Sequence, residues 1–227
     1  MTQKVLIILQ ARNSSKRLPG KSLSFFKKIP LVVLCARRLA NTGRRLIVAT
    51  SNDRSDDYLC HILERNKIKY FRGSLKNVFS RFVKITKKFN KRGLIIRATA
   101  DNPFPDGRLV EILIDELKRR ETDYLRINNK IHNLPYGISL EIFTAKKLFE
   151  TSKKKLNRQE LEHVTLNMYK NSRDLKNTLI KKIQYPKNLS KKRVTVDTLQ
   201  DYKRIYPIFE KLRNPYASNW KNLLKKL

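Results

Sequence analysis

The stretch QARNSSKRLPGKS, positions 10–22, gathers Arg12, Lys16, Arg17 and Lys21 around Ser14, Ser15 and Ser22, directly after the apolar run KVLIIL. Guanidinium forks, a lysine point charge and hydroxyl donors are the groups that hold polyphosphate oxygens. The closing Gly-Lys-Ser matches the end of a P-loop, which also needs an earlier glycine and a helix opening at the Gly-Lys pair. Ser15 stands at the first glycine position, and Pro30 arrives before any clean helical period, so the P-loop reading fails. What remains is a strand feeding a basic loop, to be weighed against a plain solvated loop.

Two aspartates complete a chemical set. Asp101 in ATADNPFPD and Asp197 in RVTVDT each follow a short apolar run. Singly, Asp101 reads as a turn former before Pro103 and Asp197 as a helix-start residue beside Thr198. Together with the basic loop they suit a magnesium–nucleotide complex, with hard oxygen ligands for the metal and cations for the phosphates.

The elements that must position these groups follow from periodicity. Short apolar runs predict strands at 5–9, 46–50, 69–72, 94–98 and 193–196, and amphipathic patterns predict helices at 31–41, 56–66, 77–90 and 107–120. Alternation of this kind argues for an α/β fold with a mostly parallel central sheet flanked by helices. The first run is continuously hydrophobic, as a strand buried on both faces should be. Less regular strands are expected at 139–143 and 177–185. Asp106 is a predicted N-cap, and Thr198 with Asp201 a capping-box start for a helix that Pro207 interrupts. In open α/β sheets ligands bind beyond the carboxyl ends of strands, which puts the basic loop, Asp101 and Asp197 on one rim. A tail at 214–227 carries the only tryptophan and follows a main domain at 1–213.

Bulk properties narrow the class. A chain of 227 residues can bury a sizeable core. No apolar run reaches membrane-span length, and the amino terminus lacks a signal-peptide cleavage site, so a cytoplasmic protein without a membrane partner is expected. Cys35 and Cys60 suggest neither a disulfide framework nor a zinc site. The net charge of +33 invites a nucleic-acid reading, yet the lysines and arginines are spread along the whole chain and no finger, helix-turn-helix or RNA-binding signature occurs. Composition bias ranks ahead of nucleic acid as their cause.

The stretch QARNSSKRLPGKSL resembles the opening of the cytidylyltransferase family that activates acidic sugars, and most of all its spore coat polysaccharide biosynthesis protein F branch. VATSNDRSDD, YFRGSLKNVFSRF, IRATADNPFPDGRLVEILI, YGISLEIF, ELEHVTLNMYKN and RVTVDTLQDYKRI continue that resemblance in order. It implies a single Rossmann-like nucleotidyltransferase domain and transfer of CMP from CTP to a sugar acceptor, with pyrophosphate released, in surface-glycan synthesis. Arg12 and Lys21 would hold the triphosphate, with Ser15 and Arg17 shaping the loop; Asp101 and Asp197 would bind Mg2+. Ser51, Asn52, Arg72 and Gly73 would lie near base and ribose. Arg12, Lys21 and Asp101 would carry catalysis, and relatives suggest a homodimer.

Departures from the family pattern fall at Ser14 and Ala100, where glycine is usual, and at Tyr136 and Ser139, where acids are common. Glu141 alone keeps its acid, so Tyr136, Ser139 and Glu141, with His163, are the expected acceptor-side residues. Competing readings are a metal-dependent glycosyltransferase, which the absence of an Asp-x-Asp triplet disfavours, a catalytically degenerate relative, and a basic polyanion binder.

Overall fold

The computed structural model describes residues 4–15, 17–170 and 179–227. Its centre is a six-stranded sheet of order β5-β4-β1-β6-β8-β7. Strands β1 (Val5–Gln10), β4 (Arg45–Ser51), β5 (Tyr70–Gly73) and β6 (Leu94–Thr99) run parallel. Strand β8 (Glu141–Thr144) lies antiparallel to β6, and β7 (Tyr124–Arg126) antiparallel to β8. The remaining two strands, β2 (Phe25–Phe26) and β3 (Ile29–Pro30), form a separate hairpin.

Strand pleat sorts the core into two layers. Ile7 and Leu9 of β1 join one buried cluster with Val48, Ile96 and residues of α1 (Leu31–Leu39), α2 (Asp57–Arg65) and α4 (Gly107–Arg119). Leu6 and Ile8 point the other way, into a cluster with Ile47, Ile95, and Phe79, Phe82 and Ile85 of α3 (Val78–Phe89). Side chains alternate across a strand, so a run apolar at every position feeds both faces. The α3 N-terminus is capped by Asn77 and that of α4 by Asp106, each accepting a main-chain amide of the first turn.

Beyond β8 the helices are short: α5 (Ala145–Ser152), α6 (Arg158–Glu162) and α7 (Leu166–Lys170). The next, α8 (Leu199–Glu210), opens on the Thr198/Asp201 capping box and continues through Pro207 without ending there. Tail helix α9 (Trp220–Leu224) docks on the first core cluster, with Trp220 1% exposed. The Trp220 amide donates to the Asp106 carboxylate at 3.1 Å, and the buried Arg38 guanidinium donates to the carbonyls of Pro215 and Ser218. The segment after residue 213 therefore completes the core.

Two expected strands take other forms. Residues 193–196 are extended but make only an isolated bridge, Tyr136 with Arg193. Their amides are spent on loops: Val194 donates to the Tyr136 carbonyl and Val196 to the Asp101 carbonyl, leaving no ladder to continue. Of 177–185, positions 177 and 178 lie outside the described residues, and Lys181–Ile183 form a 3-10 turn. Strand β7 was not expected; three residues are too few for a periodic signal. No helix among the described residues is long and apolar enough to cross a membrane. Both cysteines are buried and free.

Candidate active site

Strand order reverses between β1 and β6: the chain moves from β1 to β4 and β5 on one side, then crosses to β6 on the other. A crevice opens at such a switch point, at the carboxyl ends of the two strands. Here the β1 end leads into the basic loop and the β6 end into Asp101.

That loop turns back on itself. The Ser15 and Gly20 amides both donate to the Asn13 carbonyl, and the Ser22 hydroxyl donates to the Arg12 carbonyl at 2.9 Å. Gly20 sits at φ +70°, the left-handed conformation that glycine adopts without penalty, and it opens a single 3-10 turn, Lys21–Leu23. The β2–β3 hairpin follows, and α1 begins only at Leu31. A helix N-terminus is therefore missing where a P-loop would place one. Lys16 lies outside the described residues.

Across the crevice, Asp101 and Asp197 are brought together by the main chain. The Val196 amide donates to the Asp101 carbonyl at 2.8 Å. The Lys21 ammonium bridges the two carboxylates, 2.8 Å from Asp101 Oδ2 and 2.7 Å from Asp197 Oδ1. Burial alone would lower the Lys21 pKa, but the two aspartates outweigh it and leave the pKa raised. Arg17 reaches the same Asp197 oxygen at 3.0 Å, and Arg193 pairs with the other.

The three groups stand in a cavity of about 860 Å³, within the ordinary range for a small-molecule site. Arg12, Ser14, Ser15, Arg17 and Lys21 line it from the β1 loop, Ala100, Asp101 and Asn102 from the β6 loop, and Thr195 and Asp197 from the returning segment. Tyr136, Ser139, Glu141 and His163 form part of the far wall, with Arg97, Arg126, Asn128 and Asn129. Arg12 is exposed there, 3.8 Å from Glu162.

Glu141 is not a free acid. Arg97 pairs with it, and the hydroxyls of Tyr124 and Thr165 donate to it at 2.8 Å. Burial pushes its pKa up, but Arg97 and the hydrogen bonds from Thr165 and Tyr124 more than offset this and hold the carboxyl below its ordinary value. Tyr136 is half exposed, and its ring carries the Arg193 guanidinium at 4.9 Å.

Ser51, Asn52, Arg72 and Gly73 are absent from this lining. Ser51 is fully buried and donates, through both its amide and its hydroxyl, to the buried Asp56 carboxylate. Arg72 donates to the carbonyls of Ser51 and Asp53 and pairs with Asp57 at 2.6 Å. Gly73 is buried against the Arg81 side chain, and its carbonyl takes the Asn52 amide at 2.8 Å. These four buttress the neighbouring loop.

The wall residues Arg97, Arg126, Asn128 and Asn129 were missed by sequence reasoning. A signal existed for Arg97: a charge inside the buried strand LIIRAT must face a partner or a cavity. His132 is buried. Its Nε2 accepts the Ile180 amide, so its Nδ1 donates to the Asn128 carbonyl.

A cationic loop and a carboxylate pair across the switch point of a mostly parallel sheet define an α/β nucleotidyltransferase. Residues 6–221 match the family described as Cytidylyltransferase. The chain belongs to that family, and is a nucleotidyltransferase enzyme of the cytidylyl-transferring kind. It is 33% identical over 215 residues to the spore coat polysaccharide biosynthesis protein SpsF of Bacillus subtilis (strain 168), covering 91% of this chain and 87% of that one. An uncharacterized protein of Methanocaldococcus jannaschii is 31% identical over 202 residues, covering 88% and 81%. Among solved structures, a cytidylyltransferase from Leptospira borgpetersenii serovar Hardjo-bovis superposes with TM-score 0.84 at 25% identity, over 99% of this chain and 94% of that one. CMP:2-keto-3-deoxy-manno-octonic acid synthetase, complexed with CTP, shares the fold at TM-score 0.61 and 17% identity, over 90% and 98%.

Proposed function

We propose that the chain transfers CMP from CTP to a hydroxyl of a sugar, releasing pyrophosphate, and that the product serves surface-glycan synthesis. The observation that carries this reading is the convergence of Lys21, Asp101 and Asp197 in one cleft at the sheet's switch point. The kinship with SpsF, whose name attaches it to spore coat polysaccharide, supports a sugar as acceptor.

The donor set suits Mg2+. Two carboxylates face each other across a distance that a single ammonium spans, and phosphate oxygens and water would complete an oxygen shell. No cluster of three or more potential ligands occurs among the described residues, and a nucleotide-borne magnesium needs only one or two carboxylates. Asp101 and Asp197 would hold the ion, which supplies charge neutralisation at the phosphates when bound.

This chain's own residues do the rest. Lys21, Arg12 and Arg17 neutralise the triphosphate from the β1 side, and Ser15 and the loop amides shape its seat. The wall of Tyr136, Ser139, Asn128 and Asn129 offers hydrogen-bonding groups that align the acceptor hydroxyl with the α-phosphorus, opposite the departing pyrophosphate. The acceptor oxygen forms the new bond to phosphorus as the bridge to the β-phosphate breaks; the pyrophosphate leaves with that bond's electron pair, the hydroxyl proton passes to solvent water, and no covalent enzyme intermediate is needed.

Pyrophosphate release measured with each of the four nucleoside triphosphates, Mg2+ and a panel of acidic and neutral sugars tests the reading. CTP with one sugar class should give turnover that Asp101→Asn abolishes. Release with another triphosphate alone, or turnover indifferent to Asp101→Asn, would sink it.

A further inference from the structure

Asp101 and Asp197 are each gripped by one oxygen and presented by the other. Thr99 Oγ1 donates to Asp101 Oδ1 at 2.7 Å, and Asn102 Nδ2 backs Thr99 Oγ1 at 2.8 Å. Arg193 occupies Asp197 Oδ2 and is steadied by Asp201 at 3.4 Å. The two free-facing oxygens, Asp101 Oδ2 and Asp197 Oδ1, both turn to the Lys21 ammonium.

A protein cation thus stands on the point where the two carboxylates would share a divalent ion. An ammonium and a metal ion cannot both sit there, because two cations at contact distance from the same oxygens repel each other strongly. Lys21 is also the residue that a triphosphate would attract, since phosphate oxygens outnumber and outcharge one carboxylate pair. Arg17, on the same loop and on the same Asp197 oxygen, would be drawn off in the same direction.

We propose that Lys21 is a built-in stand-in for the metal: without nucleotide it keeps the Asp101–Asp197 pair closed to divalent cations, and a bound triphosphate opens the pair by drawing the ammonium away. Metal and nucleotide binding are then coupled through one side chain, so the enzyme does not hold a metal ion in an empty cleft. This rests on the reading of Asp101 and Asp197 as metal ligands.

The test uses the full chain without nucleotide, titrated with Mn2+ and followed by the electron-paramagnetic-resonance signal of the free ion. Lys21→Met should bind Mn2+ tighter than wild type by about tenfold or more, the scale of removing one close like charge. Adding Asp101→Asn to Lys21→Met should remove the gain. Mn2+ should also raise the melting temperature of Lys21→Met and leave wild type unmoved; Lys21→Gln gives the same readouts should Lys21→Met fold poorly. Equal Mn2+ affinity in wild type and both lysine variants overturns the proposal, as does a gain that survives Asp101→Asn. Because no nucleotide enters the titration, failure of the CTP reading would show instead as absent pyrophosphate release, with the Mn2+ result unchanged.

Discussion

The Asn13 main-chain amide donates to Asp56 Oδ1 at 2.7 Å, tying the basic loop after β1 to the end of β4 across 43 residues of sequence. The other Asp56 oxygen accepts from Thr50 Oγ1, the Ser51 amide and the Ser51 hydroxyl, and the side chain is fully buried. One carboxylate therefore sets both the floor of the basic loop and the strand end beside it. Asp56→Ala leaves these donors unpaired in a buried place and should cost about 3 kcal/mol. Urea unfolding checks the stability. In the folded fraction KM for CTP should rise more than kcat falls, because the loop loosens while Asp101 and Asp197 stay put.

Glu141 predicts a pH dependence. Its carboxyl lies below the ordinary value of 4.5, so the folded state favours the charged form. That contribution is fully present above the unfolded value and is lost as pH falls through the depressed folded one. Stability of the wild type should therefore drop more steeply than that of Glu141→Gln on acidification below about pH 4.5. At pH 7 the variant leaves the Arg97 guanidinium without its carboxylate, only 17% exposed, and should be less stable by about 3 kcal/mol. Parallel acid titrations of the two proteins by circular dichroism would show converging curves; parallel curves would contradict the assignment.

The parallel half of the sheet was legible because β1, β4 and β6 are apolar enough to be buried on both faces, and that half carries the rim on which Lys21 and Asp101 meet. Asp197 reached the same rim by a different route than expected. Its segment is pinned by single hydrogen bonds to Tyr136 and Asp101, pairings between residues far apart that no local pattern encodes. Ser51 and Arg72, expected near base and ribose, each have local partners of their own. Both sit at the correct edge of the sheet, but the buried Asp56 draws Ser51 inward and Asp57 holds Arg72 outside the cleft, and neither pull has a periodic signature. Arg126 was obscured because its strand is three residues long.

Trp220 closes the bottom of the first core cluster at 1% exposure, beside the buried Leu223 and Leu224. Truncating so large a buried side chain typically costs about 3–5 kcal/mol, since the space left cannot collapse fully. Trp220→Ala should lower the urea midpoint accordingly, read by far-ultraviolet circular dichroism because the only tryptophan is gone. An unchanged midpoint would mean that α9 is not docked in solution.

Gly137 couples the cleft wall that carries Tyr136 and Ser139 to Asp197. Its φ is +110°, and a β-carbon there would meet the Thr195 amide nitrogen at 2.7 Å and the Val194 carbonyl carbon at 2.9 Å. Backbone atoms cannot swing aside like the end of a side chain, so Gly137→Ala must displace the 193–197 segment. Val196 hydrogen-bonds the Asp101 carbonyl and Asp197 is the next residue, so the displacement reaches both carboxylates. Gly43 is the control: it also has positive φ, at +83°, but a β-carbon there meets nothing within 4 Å. Each alanine should cost about 1–3 kcal/mol for its backbone conformation. Only Gly137→Ala should also lower kcat, by about 100-fold on the scale of angstrom-level misplacement of catalytic groups. Equal turnover in the two variants would show that Asp197 tolerates movement of its segment.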